Sequence, residues 1–201
     1  MGLPAFQLDV PSFRRRPPMT SLLRIGADGD RVYVGDANPS LSTLNILNAE
    51  LEQMRAFAVD SAPSSLRAKD GRLWVTLIGS IPPTDAPSGS LIRVYPQGGT
   101  DGEGAKMTLI DSLQRPVHAA YEDLNGDGRE DVVVSEFGYR TGRLAWHERR
   151  PDGRYREHVL RSGPGAVRSV IRDFNGDERP DVMALFGQGR EARSEERRVG
   201  K

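Results

Sequence analysis

Two nine-residue acidic runs carry the chemistry in this chain. Asp123 to Asp131 reads DLNGDGRED, and a near copy, DFNGDERPD, begins fifty residues later at Asp173. In each run a carboxylate or amide stands at positions 1, 3, 5 and 9. These are Asp123, Asn125, Asp127 and Asp131, then Asp173, Asn175, Asp177 and Asp181. Oxygen ligands on alternate residues of a tight turn converge on one hard cation. The glycine at position 4 (Gly126, Gly176) frees the backbone to bend, and position 7 (Arg129, Arg179) offers its backbone carbonyl. Three carboxylates per loop repel one another, so a divalent cation is the natural neutraliser. The same residue types favour turns without any ion, which leaves a metal-free turn as the alternative reading; Glu178 and Pro180 further alter the second loop.

The helix-loop-helix calcium hand shares the opening of this pattern but needs a bidentate glutamate at position 12. Here position 12 is Val134 or Ala184, inside the apolar runs DVVVSEFG and DVMALFG. Those runs are short, rich in β-branched or aromatic residues and closed by Gly138 and Gly187, as buried strands are. The upstream pieces PVHAAYE and AVRSVIR also read as strands. Each loop therefore joins the two strands of one hairpin.

Strand, D-x-[DN]-G-D-x-x-x-D, apolar strand, Phe-Gly resembles the FG-GAP or VCBS repeat, the blade unit of calcium-braced β-propellers such as those of integrin alpha subunits. Phe137-Gly138 and Phe186-Gly187 stand where that family has its Phe-Gly. The resemblance covers about residues 115–189. It implies structural calcium, held by the two runs, in a protein that serves as a binding or interaction platform.

The rest of the chain repeats the unit more loosely. Marked by the first strand of each unit, Ser21, Leu66, Val117 and Val167 lie 45, 51 and 50 residues apart. Four short antiparallel strands at that period match a propeller blade. The expected fold is all-β, a partial β-propeller of about three and a half four-stranded blades. The blades span about residues 19–62, 63–114, 115–163 and a truncated 164–192. Residues 1–18 read as an extended lead-in with neither the apolar core nor the cleavage site of a signal peptide. Arg14 to Arg16, set between prolines, reads as a solvated linker. The last nine residues, 193–201, resemble the translation of a sequencing-library adapter and are set aside as an artefactual tail.

With 22 Gly and 14 Pro among 201 residues, composition favours all-β over α/β. Formal charge is zero, and without the tail it is 24 basic against 26 acidic residues, so nothing points to nucleic acid or an anionic membrane. No run approaches a membrane span. Cysteine is absent, which leaves the redox compartment open.

Repeat alignment brings Thr20, Ser65, His118 and Arg168 to equivalent positions on the innermost strands, where they are candidates to line a channel. Polar strand ends facing water explain them as well. No nucleophile, base and orienting acid recur at fixed offsets, and His118, His147 and His158 lack ligand spacing. Trp74 and Trp146 read as sheet-packing residues, and the arginines as caps on solvent-facing strand positions.

The expectation is a non-enzymatic, calcium-stabilised platform for a protein or carbohydrate partner. Its affinity for calcium would be on the order of 10⁻⁴ to 10⁻³ M if it is an extracellular module. Cytosolic calcium would not fill such sites, which points to an extracellular or periplasmic setting, with any export signal upstream of this fragment. The alternative is a propeller-scaffold enzyme, an exported hydrolase, lyase or oxidoreductase, with its site at the central channel.

Overall fold

The computed structural model describes residues 22–37, 41–96, 106–187 and 193–198; for 22–25 and 193–198 only the backbone is described. Four antiparallel sheets follow one another along the chain. The first holds β1 (Leu22–Asp28), β2 (Arg31–Ala37), β3 (Ser42–Leu47) and β4 (Gln53–Val59). The second holds β5 (Pro63–Lys69), β6 (Arg72–Leu77), β7 (Gly89–Val94) and β8 (Lys106–Leu113). The third holds β9 (Pro116–Glu122), β10 (Asp131–Glu136), β11 (Arg143–Arg149) and β12 (Tyr155–Ser162). The fourth holds β13 (Ala166–Arg172), β14 (Asp181–Phe186) and β15 (Arg193–Arg198). Every strand pairs with its chain neighbour, and the first strands meet in order, β1 on β5, β5 on β9, β9 on β13. The sheets thus stand as blades in an arc, a partial β-propeller. Among the described residues no helix is long and apolar enough to cross a membrane.

The strand sequences show why the blades stack. In β10 successive side chains point to opposite faces: Val132 and Val134 pack with Trp74, Leu91 and Leu113 of the second sheet, and Val133 packs with Val182 and Phe186 of the fourth. In β6, Leu73, Val75 and Leu77 join Tyr33 and Leu44 of the first sheet, and Trp74 turns to Ala119 of the third. A strand covered on both faces reads as a continuous apolar run rather than an alternating one. Burying each such valine or leucine contributes about 1.5–3 kcal/mol. β14 has one covered face; Met183 and Leu185 on the other are exposed.

Turns fix the hairpins. Asp70 (φ 51) and Gly71 (φ 68) form the two-residue turn from β5 to β6, both left-handed as a type I′ turn demands. The turns from first to second strand share one rim, and neighbours touch: the Gly71 amide donates to Asp28 Oδ2 at 2.9 Å. Gly138 of the Phe-Gly pair has φ 64, and a Cβ there would overlap the Thr141 carbonyl oxygen, so glycine is required at that position.

The segment Arg193–Arg198, part of the 193–201 stretch that resembles a translated sequencing adapter, pairs in register with β14, from Phe186↔Arg193 to Asp181↔Arg198. Ladder hydrogen bonds use backbone groups alone. β14 otherwise ends the sheet with its outward N–H and C=O groups unpaired, and such an edge takes up a strand irrespective of its side chains.

Candidate metal centre

Each acidic run lies between the first and second strands of its sheet, between β9 and β10 and between β13 and β14. The two loops repeat one hydrogen-bond pattern. Asp123 Oδ1 accepts the amides of Gly126 (2.9 Å) and Asp127 (3.1 Å), and its Oδ2 accepts that of Gly128 (2.7 Å). Asp173 Oδ1 accepts the amides of Gly176 (2.6 Å) and Asp177 (3.3 Å), and its Oδ2 accepts that of Glu178 (2.9 Å). Asn125 Oδ1 takes the Asp127 amide at 3.1 Å, and Asn175 Oδ1 the Asp177 amide at 2.9 Å. Position 5 closes on position 7 in both, where Arg129 N donates to Asp127 Oδ1 at 2.9 Å and Arg179 N to Asp177 Oδ1 at 3.0 Å.

Two backbone positions in each loop are left-handed. In the first they are Gly126 (φ 74) and Gly128 (φ 80); in the second they are Gly176 (φ 79) and Glu178 (φ 64). A side chain at the last of these carries a conformational cost of about 1 kcal/mol that glycine avoids.

Position 9 plays a different part from positions 1, 3 and 5. Asp131 opens β10 and is buried; its Oδ2 accepts the Leu124 amide at 3.3 Å and its Oδ1 the Arg149 amide at 2.7 Å. Asp181 repeats the first bond, accepting Phe174 N at 3.1 Å. Desolvation outweighs the amide bonds at Asp131 and raises its pKa above the usual carboxylate value. At exposed Asp127, the Asn125 amide group, the Arg129 amide and the Arg129 guanidinium together outweigh desolvation and lower it. The four amide bonds around Asp173, from Asn175, Gly176, Asp177 and foremost Glu178, lower that carboxyl too.

The donor set is all oxygen, which suits a hard divalent cation such as calcium. A carboxylate offers about four lone-pair sites, so three accepted amides at Asp123 still leave capacity for a metal bond. Asp123, Asn125, Asp127 and the Arg129 carbonyl would hold the ion in the first loop, and Asp173, Asn175, Asp177 and the Arg179 carbonyl in the second. Asp131 and Asp181 serve the hairpin base, whether or not they also reach an ion.

Four residues outside the acidic pattern, Glu130, Arg67, Lys69 and Arg149, hold the first loop in place. Glu130 takes a two-pronged bond from Arg67 of β5, at 2.8 and 2.6 Å, and a further one from Lys69 at 3.3 Å. The Arg67 guanidinium lies over the Tyr121 ring at 4.4 Å and the Trp74 ring at 5.5 Å. Burial pushes Glu130 up, but Arg67 and Lys69 outweigh it and hold it below its ordinary value. Arg149 supplies its amide to Asp131 and its carbonyl to Arg129 Nε at 3.0 Å. A glutamate beside the last aspartate of the loop was the one local signal for this tie. Its partner lies 63 positions away, and the second copy has Pro180 at the equivalent position.

Residues 123–184 match the family model described as an FG-GAP-like repeat. The matched stretch runs from the first aspartate of the first loop to Ala184 in β14, and so takes in both loops and the strands β10 to β13 between them. No curated protein matches the chain. In the FG-GAP-like segment the repeated unit is therefore a β-hairpin with an acidic turn, set in a blade.

The candidate channel residues divide. Thr20 lies outside the described residues. Ser65 pairs with Thr76, and it is the adjacent Ser64 whose hydroxyl bridges blades, donating to Pro116 O at 2.7 Å. His118 and Arg168 do approach one another. His118 Nδ1 accepts the Ser169 amide at 3.3 Å, and burial, with the Arg168 charge, pushes its pKa down to about 4. Ser169 is itself buried, so this contact is a tie between the third and fourth blades. Trp74 packs between blades at 6.0 Å from the Tyr121 ring, and Trp146 stacks on His158 at 4.4 Å. The arginines do more than cap strands. Arg115, for example, bonds Ser80 O, Ile81 O and Gly138 O, joining the loop after β6 to the Phe-Gly corner.

Proposed function

We propose that this chain is a calcium-braced section of a β-propeller that serves as a binding platform, with calcium structural rather than catalytic. The observation that carries the reading is the shared set of backbone-amide bonds to positions 1, 3 and 5 in two loops at matching corners of successive blades. Such pre-folding leaves the oxygens of positions 1, 3 and 5 crowded at the surface, where an ion relieves their repulsion. It favours a hard cation held by Asp123, Asn125, Asp127 and the Arg129 carbonyl, and by their counterparts at 173, 175, 177 and 179. The rim that carries the loops also carries the Asp-Gly turns of the first two blades. A protein or carbohydrate partner would meet that rim, in an extracellular or periplasmic setting where calcium is plentiful.

Thermal melting with millimolar calcium and with chelator tests this directly. Calcium is expected to raise the melting temperature, and Asp127→Ala to remove most of the gain from the first loop. Equal melting temperatures in the two conditions would take the metal out of the account.

A further inference from the structure

Away from the loops, the third blade gathers a different set of groups. Glu136 at the end of β10, His147 on β11 and Glu157 on β12 each offer a ligand atom, and these atoms all lie within 4.8 Å of one another. Glu136 is fully buried, His147 is 4% exposed, and Glu157 opens to solvent. His147 faces Glu157 across the β11–β12 ladder. Its Nε2 is shut from solvent without a hydrogen-bond partner, which is costly for a buried polar atom. The two carboxylates share one counter-ion: Arg143 Nε donates to Glu136 Oε1 at 2.7 Å and forms an ion pair with Glu157 Oε1 at 3.0 Å. With the imidazole neutral, two negative charges face one positive, leaving a net charge of −1 beside an unpaired ring nitrogen.

We propose that Glu136, His147 and Glu157 form a site for a zinc-like divalent cation, separate from the acidic loops, and that Arg143 is the internal cation the metal displaces. An imidazole nitrogen with two carboxylate oxygens suits zinc and its first-row neighbours, whereas calcium prefers oxygen alone. Ligands about 2.1 Å from a tetrahedral zinc stand about 3.4 Å apart, so the side chains need to close by little more than about 1 Å. Glu157 and Arg143 lie on the open side and give the ion its path. Glu136 is anchored from behind by the Gln114 amide at 2.5 Å, so the bound metal would fix β10, β11 and β12 together and tie them to the segment entering β9.

The test is equilibrium dialysis of the whole chain against zinc in saturating calcium, with the bound metal counted. One equivalent of zinc is expected to remain. Glu157→Gln, a solvent-reached substitution that leaves the fold intact, should weaken retention at least tenfold, and His147→Gln likewise. Arg143→Met should strengthen it by removing the competing cation. Three results would overturn the site: no retained zinc, retention unaffected by Glu157→Gln, or retention lost on His158→Gln, which would move the ion to the His158–Glu148 pair. Weaker binding by Arg143→Met would overturn the role given to Arg143.

Discussion

Replacing Asp131 by alanine separates the part of the loop that folds the hairpin from the part that meets an ion. Both carboxylate oxygens accept a backbone amide, a buried one from Leu124 and a half-buried one from Arg149. Alanine leaves both donors facing a small void. A buried donor stripped of its partner costs about 1–3 kcal/mol, so two cost about 2–6 kcal/mol. Part of this is offset, because the substitution also removes a carboxylate whose desolvation has already raised its pKa. The net expectation is about 2–4 kcal/mol. At about 2–4 °C per kcal/mol for a domain of this size, the melting temperature should fall by about 4–16 °C. The amides need an acceptor with or without metal, so calorimetry or circular dichroism should find the fall in chelator as well as in calcium. Asp181→Ala, which strips the one amide bond that carboxylate accepts among the described residues, should fall about half as far. A fall below about 2 °C in chelator would refute the assignment of Asp131 to the hairpin base.

Three other outcomes follow from the same contacts. Arg67→Met removes the two-pronged bond to Glu130 and the stacking on Tyr121, and should cost about 1–3 kcal/mol in denaturant unfolding; additivity with Glu130→Gln would show the pair uncoupled. Glu178→Gly relieves a left-handed side-chain position in the second loop while keeping the amide bond to Asp173, and should stabilise by about 0.5–1 kcal/mol; a destabilised variant would contradict this. His118 has a folded pKa of about 4 against 6.5, so its neutral form is favoured in the fold; the stability it contributes is complete above pH 6.5 and is lost as pH falls towards 4. At pH 5 the loss is about 2 kcal/mol, and His118→Gln should flatten the fall in melting temperature between pH 7.5 and 5; an unchanged slope would exclude the histidine.

The acidic runs and the strands around them were legible because their signals are local. Alternate oxygens in a nine-residue turn, Asp-Gly hairpin turns and apolar runs closed by glycine each act over fewer than about ten neighbours. The period near fifty residues then turned the local units into blades. The roles of Glu130, Arg67, Arg149 and His147 were not legible. Arg67 meets Glu130 63 residues on because blade packing lays β5 against β9, and no local pattern encodes that encounter.

Asp131 shows the division within one side chain: spacing marked it as a ligand position, while the end of β11 coming alongside gave it an amide to hold. The pairing of Arg193–Arg198 with β14 shows the converse, since an unpaired backbone edge takes up a segment whose own residues carry no strand pattern. By itself, then, the sequence determined the blade unit, its period and the acidic turns, because these depend on side-chain order along a few residues. The tertiary structure alone decided which charges are neutralised, which carboxylates are buried and which histidine is left unpaired, because those depend on what the neighbouring strands and blades bring within reach.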